Sequence, residues 1–114
     1  MKVAIIGSRN LEIEIPEEAI PKSTEQIISG SAEGIDRKAR TFAEEHHIQI
    51  LEILPDYQRY QKSAPLKRND DIIEMSDMVI AFWDGKSRGT KYVIDKCRQL
   101  DKPIKIYTVT DNEE

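Results

Sequence analysis

The sequence predicts an α/β fold, a mainly parallel sheet of about five strands with helices on both faces. Three observations predict it. Short strand-like runs recur at Val3–Ile6, Ile48–Leu54, Met78–Trp83 and Ile104–Val109; Val3–Ile6 and Met78–Trp83 read as buried on both faces, whereas Ile48–Leu54 alternates. From residue 26 onward, segments with helical spacing alternate with these runs, and strands that alternate with helices specify a parallel sheet. Turns of small residues follow the first, second and fourth strands, at Gly7-Ser8, Ser29 to Gly34 and Asp84 to Thr90.

The elements follow in order. Val3-Ala4-Ile5-Ile6 forms the first strand and Gly7 ends it. Asn10 to Thr24 carries two prolines, several glutamates and little periodicity, so it reads as a loop with one helical turn near Glu17 to Ile20. Gln26 to Ile28 begins the second strand, which breaks at Ser29-Gly30-Ser31-Ala32-Glu33-Gly34. Ile35, Ala39, Phe42, Ala43 and His46 then recur on one face of a helix that starts at Gly34. Ile48 to Leu54 is a third strand stopped by Pro55, and Asp56 to Ala64 reads as a polar, aromatic loop. Pro65 suits the first turn of a helix running to about Met75, with Ile72, Ile73 and Met75 available for burial. After the fourth strand, Val93, Cys97 and Leu100 step along a last helix, and Pro103 precedes the fifth strand.

At 114 residues the chain forms one domain, read as 1–110 with an acidic tail at 111–114. It is 39% hydrophobic and 33% charged, and no apolar run approaches the ~18 residues of a membrane span. Nothing at the start resembles a signal peptide, so a cytoplasmic, membrane-free protein is expected. The single cysteine, Cys97, has no internal disulfide partner and its place on a helix face suits a buried apolar role. A net charge of −4 argues against a general electrostatic grip on nucleic acid, although basic residues gather at Arg59 to Arg68 and Lys86 to Lys91.

In a parallel sheet, ligands sit beyond the C-terminal strand ends. Those ends deliver Gly7, Ser8 and Arg9 from the first strand and Ser29, Gly30, Ser31 and Gly34 from the second. The third supplies the connection to Arg68 and Asn69, and the fourth supplies Asp84, Ser87, Arg88, Gly89 and Thr90. Small residues let a ligand approach the backbone, and helix starts at Gly34 and Thr90 present N–H groups to negative charge. A phosphate-bearing small molecule fits this rim. The plainer reading is that the glycines only permit tight turns and that loops are polar in any case. Tyr57, Tyr60 and Trp83 fall near the same rim, where a ring can stack on a nucleobase or pack under a loop, and Tyr92 suits either core or rim.

Sharper motifs fail. Gly85-Lys86-Ser87 resembles the end of a P-loop, but the glycine needed five positions earlier is Ile80. Gly7-Ser8-Arg9-Asn10 lacks the glycines of a dinucleotide fingerprint, and His46 and His47, adjacent on a helix, diverge by about 100° and make no metal-chelating pair. No cofactor or metal is implied.

Ser29-Gly30-Ser31-Ala32-Glu33-Gly34-Ile35-Asp36 resembles the SGxARGID motif of the DNA-processing proteins DprA and Smf, with Glu33 in place of arginine. Arg68-Asn69 and the strand that follows resemble their RNR segment, and Ser87-Arg88-Gly89-Thr90 resembles the glycine-rich turn of the Lonely Guy phosphoribohydrolases. With Ile6-Gly7-Ser8-Arg9, nearly the whole chain resembles the SLOG superfamily, most of all its short, single-domain YspA-like branch. The resemblance implies a Rossmann-like three-layer sandwich and a pocket for nucleotides or nucleotide-derived ligands. It also implies enzymes that cleave base from ribose 5′-phosphate with a PGGxGTxxE motif, but Val93 occupies the acidic position here, with Asp36 and Asp84 the carboxylates that would have to replace it. No catalytic residue is assigned. The expectation is a binding module that captures a nucleotide-like phosphate ligand in the manner of a sensor. The alternatives are a nucleoside 5′-monophosphate phosphoribohydrolase and a DprA-like binder of single-stranded DNA, the latter disfavoured by Glu33 and the net charge. Self-association is left open.

Overall fold

The computed structural model describes residues 1–31 and 33–109; the expected acidic tail at 111–114 lies outside the described residues. Five strands, β1 (Lys2–Gly7), β2 (Gln26–Ser29), β3 (Gln49–Glu52), β4 (Met78–Trp83) and β5 (Ile104–Thr108), form one sheet. Every pairing is parallel and the order is β3-β2-β1-β4-β5. The fold is an α/β, Rossmann-like three-layer sandwich.

Alternation along each strand builds the layers. Val3 and Ile5 of β1 point to one face, where they meet Ile27, Ile80 and Phe82 and are covered by Ile35, Ala39, Phe42 and Ala43 of α1 (Ile35–Glu45). Leu11, Ile15, Ala19 and Ile20 complete that face, so the proline-broken stretch after β1 is a packed strap with a 3₁₀ turn at Glu17–Ala19. Ala4 and Ile6 point to the other face, beneath Ile72 and Ile73 of α3 (Ala64–Met75) and Val93, Ile94 and Cys97 of α4 (Arg88–Gln99). Both faces of the central strands are therefore dry, which is why β1 and β4 read as continuous apolar runs.

Departures from the expected elements are local. A one-turn helix, α2 (Tyr57–Tyr60), and a 3₁₀ turn at Gln61–Ser63 occupy the stretch expected to be a loop. The Asp56 carboxylate accepts the Arg59 N–H at 3.1 Å and starts that turn, and one turn is too short for hydrophobic periodicity to show. Met75 and Leu100, expected on buried helix faces, are exposed because each sits at the end of its helix, while Ile94 fills the α4 face instead. Pro65 lies in the first turn of α3, and Cys97 is fully buried, which pushes its thiol pKa up. Among the described residues no helix is long and apolar enough to cross a membrane.

Candidate functional site

The strand order reverses between β1 and β4, whose neighbours are connected in opposite directions along the sheet. Parting of the connections at such a switch leaves a crevice beyond the strand ends. Here it is a cavity of about 420 Å³ on the α3–α4 face, with Ile6, Ile72 and Val93 among its apolar lining. That volume falls in the range of roughly 300–1,000 Å³ typical of small-molecule sites.

Arg68 is a buried cation of its wall. It stands in the second turn of α3, only 8% exposed. Its Nη1 donates to the Ile53 carbonyl at 3.3 Å, and its Nε donates to Asn69 Oδ1 at 3.0 Å. Burial lowers the guanidinium pKa, the Asp36 carboxylate works against that shift, and Arg9 adds to it. The cavity therefore holds two arginines, Arg9 and Arg68, against one lining carboxylate, Asp36. A Cβ placed on Gly30 would lie 2.6 Å from Arg68 Nη1 and 2.7 Å from Asp36 Oδ2, so glycine is needed there because the charged groups lean across its backbone.

The opposite wall is the turn from β4 into α4. Asp84 Oδ1 accepts the backbone N–H groups of Lys86 and Ser87, each at 2.8 Å, which holds the carboxyl below the usual carboxylate range. Ser8 Oγ accepts the Asp84 N–H at 3.1 Å, tying the turn to the end of β1. Trp83 Nε1 donates to the Ser87 carbonyl at 3.0 Å, and Ser87 caps α4 by accepting the Thr90 N–H at 3.4 Å. With these bonds fixed, Ser87, Gly89 and Thr90 face the cavity at the positive end of the helix. A Cβ on Gly89 would meet nothing within 4 Å. The space there is open.

Of the rim residues singled out in the sequence, Gly7, Arg9, Gly30, Arg68, Asn69, Ser87, Gly89 and Thr90 line this cavity. Ser8, Ser29, Ser31, Gly34, Asp84 and Arg88 do not. Ser8 and Asp84 brace the β4–α4 turn, and Arg88 is exposed. Ser29 is fully buried, and among the described residues its Oγ is the buried side-chain polar atom without a hydrogen-bond partner. Gly34 takes φ +69° and packs on the Ser8 and Arg9 carbonyls where the strap after β1 crosses the start of α1. Of the two helix starts expected to face an anion, α4 contributes its own to the cavity wall, whereas α1 contributes the side chain of Asp36.

Asn10 and Asp36 are lining polar residues that the pattern of small residues did not single out as ligand contacts. Asp36 lies two residues beyond Gly34, and its signal was the place of an acid in the first turn of a helix that follows a glycine turn. Comparisons with family models, curated proteins and solved structures return no match for this chain. The site is therefore read on its own chemistry.

That chemistry is cationic on balance, with Arg9 and Arg68 against Asp36. Two guanidinium groups and a helix N-terminus are chemically suited to a group with several negatively charged oxygens. Val93, at the acidic position of the PGGxGTxxE pattern, is buried and apolar. A second, larger depression of about 940 Å³ lies at the opposite strand ends, where Glu17, Glu18, His46 and His47 border it. Lys22 borders it as well, and the carbonyl end of α1 makes it a less favourable place for an anion than the start of α4. Among the described residues no group of three or more His, Cys, Asp or Glu could hold a metal ion.

Proposed function

We propose that this protein binds a nucleotide or nucleotide-derived phosphate ligand in the cavity between α3 and α4. The observation that carries the reading is the convergence of buried Arg68, Arg9 and the open start of α4 on one cavity at the switch point. The phosphate belongs against Gly89 and Thr90, where the backbone is bare, and the remainder of the ligand extends toward Asn69 and Asp36. The SLOG-like motifs agree with such a ligand.

A thermal-shift screen with mono-, di- and cyclic nucleotides and ADP-ribose tests this. A ligand at a hundred times its dissociation constant stabilises the fold by about 2.7 kcal/mol, which raises the melting temperature by roughly 10 °C. Arg9→Ala, at an exposed cavity residue, is expected to remove most of the shift without lowering the melting temperature of the free protein. The absence of any shift across the panel contradicts the proposal.

A hydrolytic reading rests on Asp36 alone, because it is the lining carboxylate and stands beside Arg68. Release of free base from nucleoside 5′-monophosphates, abolished by Asp36→Asn, would establish it. Intact monophosphates after prolonged incubation leave the protein as a binding module.

A further inference from the structure

We propose that the cavity takes a ligand with two separated phosphates, one at the start of α4 and a second at the Arg68 guanidinium on the other side of β1; the inference rests on the phosphate-binding reading of the cavity. A guanidinium carries five N–H donors and no acceptor. In Arg68, Nε donates to Asn69 Oδ1 at 3.0 Å and one N–H of Nη1 donates to the Ile53 carbonyl at 3.3 Å. Among the described residues the other three N–H groups have no acceptor. Although the residue is only 8% exposed, Nη2 is not sealed, because among the described residues the sealed side-chain polar atom without a partner is Ser29 Oγ. Nη2 therefore opens onto the cavity that Arg68 lines. Asn69 adds to the same locus: its Oδ1 is taken by Arg68, and its NH2 group, unpartnered among the described residues, is left to the cavity. Both free groups can only donate, which suits a ligand group rich in anionic acceptors.

Position separates this locus from the start of α4. The strand order is β3-β2-β1-β4-β5. The Arg68 guanidinium is tethered between the ends of β3 and β2, bonded to the Ile53 carbonyl just after β3 and pressed against Gly30 just after β2. Gly89 stands in the first turn of α4, which follows β4 on the other side of β1. Neighbouring strands lie about 4.8 Å apart, so β2 and β4 end roughly 10 Å from one another. Hydrogen bonds of about 2.9 Å do not let one phosphate span that gap. A sugar phosphorylated at two of its hydroxyls spans it, whereas a linear diphosphate keeps both phosphates at one end. Arg9 enters the cavity from the end of β1, between the two loci, and with Asp36 counted the lining stays cationic. The ligand class is a nucleoside or sugar carrying phosphates at two positions.

Calorimetric titration of the full chain with AMP, ADP and adenosine 3′,5′-bisphosphate tests spacing as well as charge. The wild type is expected to bind the bisphosphate roughly 10- to 100-fold more tightly than AMP, and more tightly than ADP, which has as many phosphates without the separation. Arg68→Gln abolishes this preference. So does Asn69→Asp, which keeps the acceptor for Arg68 Nε and replaces the donating NH2 group with an anionic oxygen. Melting curves check the folding of both variants, and Asn69→Asp alone decides where Arg68→Gln does not fold. A wild type that binds the bisphosphate no more tightly than AMP or ADP overturns the second phosphate locus while the first stands, and so does a preference that persists in either folded variant. Binding of none of the three overturns both readings.

Discussion

Two turns of similar composition behave as opposites in this fold. The β2–α1 turn, Ser29 to Gly34, is filled by protein: Gly30 lies under Arg68 and Asp36, Gly34 is pressed against the strap after β1, and Ser29 is sealed from solvent. The β4–α4 turn, Asp84 to Thr90, is braced from behind by Ser8, Trp83 and Asp84 and leaves Gly89 facing empty space. A glycine can therefore be present for the protein's own chain or for a ligand. What a side chain would touch at that position tells the two apart.

The largest effect is expected at Gly34. Gly34→Ala meets both a left-handed φ and the Arg9 carbonyl, so it costs roughly 3 kcal/mol of stability in chemical denaturation. A smaller effect separates two residues that sequence reasoning grouped together. Ser29→Ala removes a buried hydroxyl without a partner and is expected to stabilise by about 1 kcal/mol. Asp84→Ala is expected to cost about 1 kcal/mol, since two backbone N–H groups lose their acceptor. Its sign with pH is fixed by the depressed folded-state value: the carboxylate contributes stability above the ordinary aspartate pKa of about 3.9, and this is lost as pH falls through the lower folded value. Acid denaturation of Asp84→Ala is accordingly less steep below about pH 4 than that of the wild type. The smallest effect is at Gly89. Gly89→Ala occupies open space at the start of a helix, so it stabilises the free protein by about 0.5 kcal/mol and obstructs the phosphate.

The sheet was legible because its central strands are dry on both faces: Val3 to Ile6 and Met78 to Trp83 carry nothing but apolar residues. The site was legible to the extent that a parallel sheet sends every strand end to one rim. Its interior was not. Asp36 sits on a helix whose other charged residues face outward, and only the packing of α1 and α3 on opposite sides of β2 brings its carboxylate and the Arg68 guanidinium over the same glycine. The helical turn α2 was hidden for a related reason, because a single turn carries no repeating pattern. The pattern of small residues marked both glycine turns alike. It carried no information about which one the protein fills with its own side chains.

Backbone amide chemical shifts, followed by NMR as a nucleoside monophosphate is titrated into the protein, test the central distinction most directly. The largest perturbations are expected at Gly89 and Thr90, with smaller ones at Asn69 and Asn10 and little change at Ser31 and Gly34. Perturbations centred on Ser31 to Gly34, with Gly89 and Thr90 silent, would contradict the assignment of the phosphate to the β4–α4 turn.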